Sequence, residues 1–110
     1  MFDQVKHSEE LQLIVKKSQA VLLYFSTDEC SVCKVLKPKV EQLIVSNFPQ
    51  IKLVYININT APEIAANYSV FVAPTLLILF ENKELLRKSR NFGIYELQDE
   101  LERPYQLLFS

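Results

Sequence analysis

Cys30 and Cys33 are the only two cysteines in a chain of 110 residues, and their placement selects one kind of chemistry. The residues before them, Ala20-Val21-Leu22-Leu23-Tyr24-Phe25-Ser26, form a short apolar run rich in strand formers. The residues after them, Lys34 to Val45, carry helical periodicity. A thiol in the first turn of a helix meets unpaired backbone N–H groups and the positive end of the helix dipole, and both favour thiolate over thiol. A second thiol three residues on, nearly one helical turn away, can close a disulfide with little movement. The pattern therefore points to a two-electron thiol–disulfide switch. Two other readings carry less. An inert helix pair would need no special neighbourhood, and a structural zinc site wants four ligands where the chain offers two cysteines and the single histidine, His7. No metal and no cofactor is expected. A peroxidase is weaker still, because neither a further cysteine nor a peroxide-binding arginine motif accompanies the pair.

The elements that must position this pair fit into one domain spanning residues 1–110. With 49% hydrophobic residues the chain can fill one core. Twelve basic residues against 13 acidic ones leave no dominant basic block, so neither nucleic acid nor an anionic membrane is an expected partner. The polar, acidic start Met1 to Glu10 lacks the apolar stretch of a signal peptide. No apolar run approaches the roughly 20 residues that span a bilayer. The expectation is a cytoplasmic protein, where a cysteine pair is more often catalytic or metal-binding than a structural staple, and a monomer. Repeats, low-complexity stretches and interdomain linkers are absent. With Gly93 the only glycine, turns fall to Asn, Asp, Pro and Ser.

Ser8, followed by Glu9, Glu10 and a face of Leu11, Ile14 and Val15, predicts a first helix capped by Ser8, with Lys16 and Lys17 at its end. His7 precedes that cap as a solvated residue. The strand Ala20–Ser26 follows, then a helix through Val35, Leu36, Val40, Leu43 and Ile44 that Pro38 should kink. Ile51 to Ile58 predicts a second, central strand. Thr60 and Glu63 have the spacing of a capping box for a short helix to about Asn67. Thr75 to Phe80 is a third strand, which Glu81-Asn82-Lys83 turns into a polar edge strand, Glu84 to Ser89. Ile94 to Leu101 predicts a last helix disturbed at Pro104. The apolar tail Tyr105 to Phe109 either extends that helix onto the core or forms a self-association patch. Helix-separated strands are expected to run parallel and the final hairpin antiparallel. The sum is an α/β three-layer sandwich with a mixed four-stranded sheet and helices on both faces.

In this frame the chain resembles the thioredoxin family over nearly its whole length. The resemblance is carried by Cys30-Ser31-Val32-Cys33-Lys34 after the first apolar strand, with Pro38 five residues beyond the second cysteine. Val72-Ala73-Pro74-Thr75 leads directly into the strand Leu76 to Phe80, and Pro74 lies 41 positions after Cys33. The resemblance implies a thioredoxin-like fold in which Pro74 follows a cis peptide bond beside the cysteines. It also implies that the backbone at Ala73 offers strand-like hydrogen bonds to a substrate peptide. By the same likeness Cys30 is the exposed nucleophile and Cys33 the buried resolving thiol of a protein-disulfide reductase. The implied partners are disulfide-containing proteins and an electron-donor reductase.

The chain departs from the family's familiar reductases at four places. Glu29 stands where they carry tryptophan, and Ser31-Val32 replaces Gly-Pro between the cysteines. Tyr24 occupies the position of a buried carboxylate that assists the resolving thiol, and Tyr55 that of the lysine pairing with it. A phenol with an ordinary pKa near 10 is a poor base at neutral pH. The alternative is thus a thioredoxin-fold module that binds peptides or senses redox state with little turnover. Around Cys30, Lys34 and Lys37 should lower the thiol pKa while Asp28 and Glu29 raise it. Exposed charges are worth roughly 0–1 kcal/mol each, so they largely cancel and the helix terminus decides. Cys30 should ionise nearer ~7 than the ~3.5 of the strongest oxidants. Alkylation rates of the reduced protein against pH check this, and a midpoint above about 8.5, that of a free cysteine, would overturn it.

Overall fold

The computed structural model describes residues 1–90 and 92–110. Its elements are β1 (Asp3–Gln4), α1 (Ser8–Lys17), β2 (Ala20–Ser26), α2 (Ser31–Asn47), β3 (Lys52–Asn57), α3 (Pro62–Asn67), β4 (Thr75–Phe80), β5 (Lys83–Ser89) and α4 (Ile94–Phe109). The strands form one mixed sheet in the order β1-β3-β2-β4-β5. The expected four-stranded sheet thus gains a fifth strand. Asp3 and Gln4 pair in parallel with Val54 and Tyr55, a stretch too short to show alternation in sequence. Lys52 Nζ holds this edge by a 2.9 Å ion pair to Asp3.

Strand direction corrects one expectation. β2 and β3 are parallel as predicted, but β4, also separated from β3 by a helix, runs antiparallel to β2. The helix between β3 and β4 does not carry the chain back. A parallel crossover must bring the chain back along the whole strand, about 20 Å for the six residues of β3. α3 has only six residues and spans about 9 Å. The chain enters β4 at the end of the sheet where it left β3, as the pairing of Phe25 with Thr75 records.

Alternation along the strands divides the core between two faces. Val21, Leu23, Phe25, Val54, Ile56, Leu77 and Leu79 pack with residues of α1 and α3, including Leu11, Val15, Ile64 and Ala65. Leu22, Tyr24, Leu53, Leu76 and Ile78 pack with Cys33, Val40, Leu43 and Ile44 of α2 and with Leu97 and Leu101 of α4. β2, β3 and β4 are buried almost throughout, whereas β5 is mostly exposed, as an edge strand should be. The turn from β4 to β5 places Glu81 and Asn82 at φ 52° and 65°. A two-residue hairpin needs that left-handed backbone, and here it is made without glycine.

Local signals moved in three places. α1 begins at Ser8 with His7 as its cap position. Ser8 Oγ instead accepts a 3.1 Å hydrogen bond from Asn67 Nδ2, joining α1 to α3. α3 is capped at Ala61, not Thr60. Pro62 suits the first helical position and keeps the residue before it out of helical geometry, so the start is set one residue later. α2 runs through Pro38, and α4 runs through Pro104 to Phe109 rather than stopping near Leu101. Packing explains α4's extra turns. The Tyr105 ring lies 5.1 Å from that of Phe48 and 4.7 Å from that of Phe109, and Gln50 N–H donates to Tyr105 Oη at 3.1 Å. The tail extends the helix onto the core.

β5 is bolted to α4 by Lys88, whose Nζ pairs with Glu96 at 3.0 Å and Glu100 at 2.6 Å. Hydrogen bonds to Glu100 and Glu96 raise the lysine's pKa, and the bond from Lys88 lowers that of Glu96. A carboxylate with a depressed folded-state pKa stabilises above its unfolded pKa and loses that contribution as pH falls through the folded value. Lys88→Met should therefore lower Tm at neutral pH by a small amount, as befits an exposed network. That difference should shrink in acid, as Glu96 becomes protonated in the parent and the variant. Thermal unfolding of both across pH checks this.

Candidate active site

The site lies at the sheet end where β2 stops and β4 starts. β2 ends at Ser26, and Cys30 is the cap residue of α2. Its amide donates to Thr27 O at 3.3 Å, and its Sγ accepts a 3.1 Å hydrogen bond from Cys33 N–H. A sulfur here takes one of the orphan donors of the helix terminus. Cys30 and Cys33 form a disulfide with Cα atoms 5.3 Å apart. Cys33 is 1% exposed, whereas Cys30 is partly exposed. Val32 beside them is 55% exposed and Val35 on the next turn 61%.

A polar network holds the loop that carries Cys30. Asp28 Oδ1 accepts from Asn57 Nδ2 at 2.8 Å, and Asp28 N–H donates to Asn59 Oδ1 at 2.7 Å. Asn57 Oδ1 closes the set by accepting from Asn59 N–H at 2.9 Å. Asp28, expected to act on Cys30 through its charge, is thereby committed to the β3–α3 connection.

Ala73 and Pro74 arrive from the opposite side. Their peptide bond is cis, Pro74 is buried and Ala73 partly exposed. Ala73 and Cys30 both pack on the cluster that contains Cys33. Thr75 Oγ1 donates to Val72 O at 2.7 Å, and Arg90 N–H donates to Pro74 O at 2.8 Å, fixing the turn from both sides. All four residues singled out in the sequence, Cys30, Cys33, Ala73 and Pro74, thus gather at one end of the sheet. His7 is exposed before α1. Among the described residues no group of three or more His, Cys, Asp or Glu side chains could hold a metal.

Beneath the disulfide the floor is aromatic. Tyr24 is fully buried, and its hydroxyl donates to the Cys33 carbonyl at 2.8 Å. Burial, with a smaller contribution from Tyr55, pushes the Tyr24 phenol far above its usual range. The Tyr24 and Tyr55 rings stack at 6.3 Å, and Phe2 lies 5.7 Å from Tyr24. Lys37 also differs from expectation, because its Nζ sits 4.1 Å from the centre of the Tyr55 ring. Sequence reasoning missed this placement, although the four-residue spacing from Cys33 to Lys37 puts both on one helix face. It also passed over Phe71, three residues before Pro74 and 84% exposed. Its apolar neighbours in sequence gave no hint that it faces solvent.

Tyr24→Phe removes the donor to a buried carbonyl and should cost about 1 kcal/mol of stability. Denaturant unfolding of the oxidised protein measures it. The fold itself should persist, because Phe keeps the ring and its stacking.

The residues 3–102 match the family model described as Thioredoxin. A thioredoxin-like protein, YdfQ of Bacillus subtilis, is 32% identical over 97 residues, covering 88% of this chain and 86% of that protein. A thioredoxin of Rickettsia bellii is 29% identical over 89 residues, covering 81% of this chain and 82% of that one. Among solved structures, thioredoxin from Trypanosoma brucei brucei superposes with a TM-score of 0.84 at 21% identity, covering 96% of this chain and 92% of its own. With a family match over almost the whole chain and a disulfide-bonded CXXC pair at the head of α2, the chain belongs to the thioredoxin family and is a thioredoxin-like thiol–disulfide oxidoreductase.

Proposed function

We propose that this protein reduces disulfides of other proteins in the cytoplasm by dithiol–disulfide exchange, with Cys30 as nucleophile and Cys33 as resolving thiol. The observation that carries the assignment of roles is the difference in exposure at the helix terminus. Of the two cysteines only Cys30 is partly exposed, and its sulfur sits where the α2 N–H groups stabilise a thiolate. The Cys30 thiolate attacks a substrate disulfide, forming a Cys30–substrate bond and releasing one substrate thiolate. Cys33, as thiolate, then attacks Cys30 Sγ and expels the second substrate sulfur. The pair ends oxidised and the substrate reduced by the same two electrons. A donor reductase must return two electrons to the Cys30–Cys33 disulfide. The partial exposure of Ala73 supports pairing with an extended substrate segment beside Cys30.

A second reading, a peptide-binding or redox-sensing module with little turnover, draws support from the buried Tyr24. With its pKa pushed further up, it supplies no base near neutral pH. Substitution separates the two. Cys33→Ser incubated with insulin should accumulate a mixed disulfide through Cys30, seen as a reductant-sensitive adduct, and should lose catalytic insulin reduction. A binding module would give no adduct and would retain its partners after both cysteines are replaced.

A further inference from the structure

Resolution makes a demand on Cys33 that its surroundings must meet. A buried thiol is disfavoured as thiolate, yet only the thiolate attacks, and Cys33 is 1% exposed. Cys33 belongs to an apolar cluster drawn from several elements. β2 presents Tyr24, hydrogen-bonded to the Cys33 carbonyl and held protonated by burial. β3 presents Tyr55, stacked on Tyr24. To the same cluster the N-terminal segment contributes Phe2, the loop before β4 Ala73, β4 Leu76, and α4 Leu97 and Leu101, none of which titrates. On α2 itself stand the partner Cys30, its cap residue one turn before, and Lys37, one turn after.

Lys37 follows Cys33 by four residues, which places the two Cβ atoms about 5–6 Å apart on one helix face. Its Nζ lies 4.1 Å from the Tyr55 ring centre and 5.5 Å from that of Phe2. A cation over an aromatic face is attracted by the ring quadrupole, more strongly where water is partly excluded, and Lys37 is half-buried. Glu41, one turn further along α2, could have drawn the lysine outward, but its carboxylate pairs with the Met1 amino group at 3.3 Å. Among the described residues Lys37 makes no ion pair. Its charge is held over the aromatic floor, on the side of the helix that carries Cys33.

We propose that Lys37, seated on the Tyr55 ring, supplies the positive potential that lets buried Cys33 ionise in the resolving step. This rests on the roles of Cys30 and Cys33 proposed above. In that step Cys33 yields its proton to solvent, and its sulfur electron pair forms the Cys30–Cys33 bond. The bond from Cys30 to the substrate sulfur breaks, and that sulfur leaves as a thiolate to be protonated by solvent. Lys37 exchanges no proton and touches neither sulfur. It is a positioning residue that acts through its field, in place of a group that would accept the proton.

Dithiobis(nitrobenzoate) reports the two half-steps separately. The reduced protein releases one coloured thiolate when Cys30 attacks and a second when Cys33 resolves the adduct. Lys37→Met should raise the pH midpoint of the second phase by about 0.5–1 unit, slowing it about 3–10-fold below the midpoint. Lys37→Arg should restore the parent profile, because it keeps a cation that packs on aromatic faces. Lys37→Gln should behave as Lys37→Met, so a folding failure in one leaves the other to decide. An unmoved second-phase midpoint in a folded neutral variant overturns the inference. Absence of the second phase in the parent protein would instead overturn the dithiol-exchange reading itself.

Discussion

The site depends on a connection that does not turn back along the sheet. After β3 the chain has a six-residue helix and two loops in which to reach β4, and α3 covers less than half the length of the strand it follows. The chain stays at one end of the sheet and enters β4 there, antiparallel to β2. Because α2 springs from that same end of β2, the cis Ala73-Pro74 turn and the Cys30–Cys33 pair are brought together. In a parallel β4 the first residues would lie at the far end of the sheet, away from the cysteines. The polar bonds among Asp28, Asn57 and Asn59 tie the two connections at this end to each other.

Below the disulfide the protein uses aromatic packing rather than a buried ion pair. Burying two opposite charges carries a desolvation cost that their attraction need not repay. Tyr24 and Tyr55 avoid that cost. Their rings stack, and the one buried hydroxyl finds a carbonyl partner. The consequence is chemical as well as structural, since a buried phenol does not take up a proton near neutrality. Positive charge enters this region from α2, through Lys37 over Tyr55, and not from the strands. Held over a ring face, this cation stays half-buried rather than fully desolvated.

Several features were legible in the chain because their signals are local. The strands β2 and β4 announce themselves as apolar runs, and the cysteine pair lies where a strand gives way to helical periodicity. Other features were hidden because the deciding partner is distant in sequence. α4 continues through Pro104 because Tyr105 finds Phe48 and Gln50, more than 50 positions away. Ser8 gives up its capping role to accept from Asn67. At α3 the miss was local, since Pro62 outweighs the Thr60–Glu63 pattern by constraining the residue before it.

By itself the sequence determined the chemistry. Two cysteines at the spacing of one helical turn, behind a buried strand, permit thiol–disulfide exchange wherever the helix starts, because backbone donors at its terminus favour the thiolate. It also determined the layered α/β architecture through the periods of its apolar residues. Only the tertiary structure decided the direction of β4, the meeting of Ala73 and Pro74 with the cysteines, and the face that Lys37 presents. Hydrophobic period specifies which side of an element is buried, but not which element covers it. A long lysine on a helix can turn to solvent or to a ring, and only the packed neighbours choose between them.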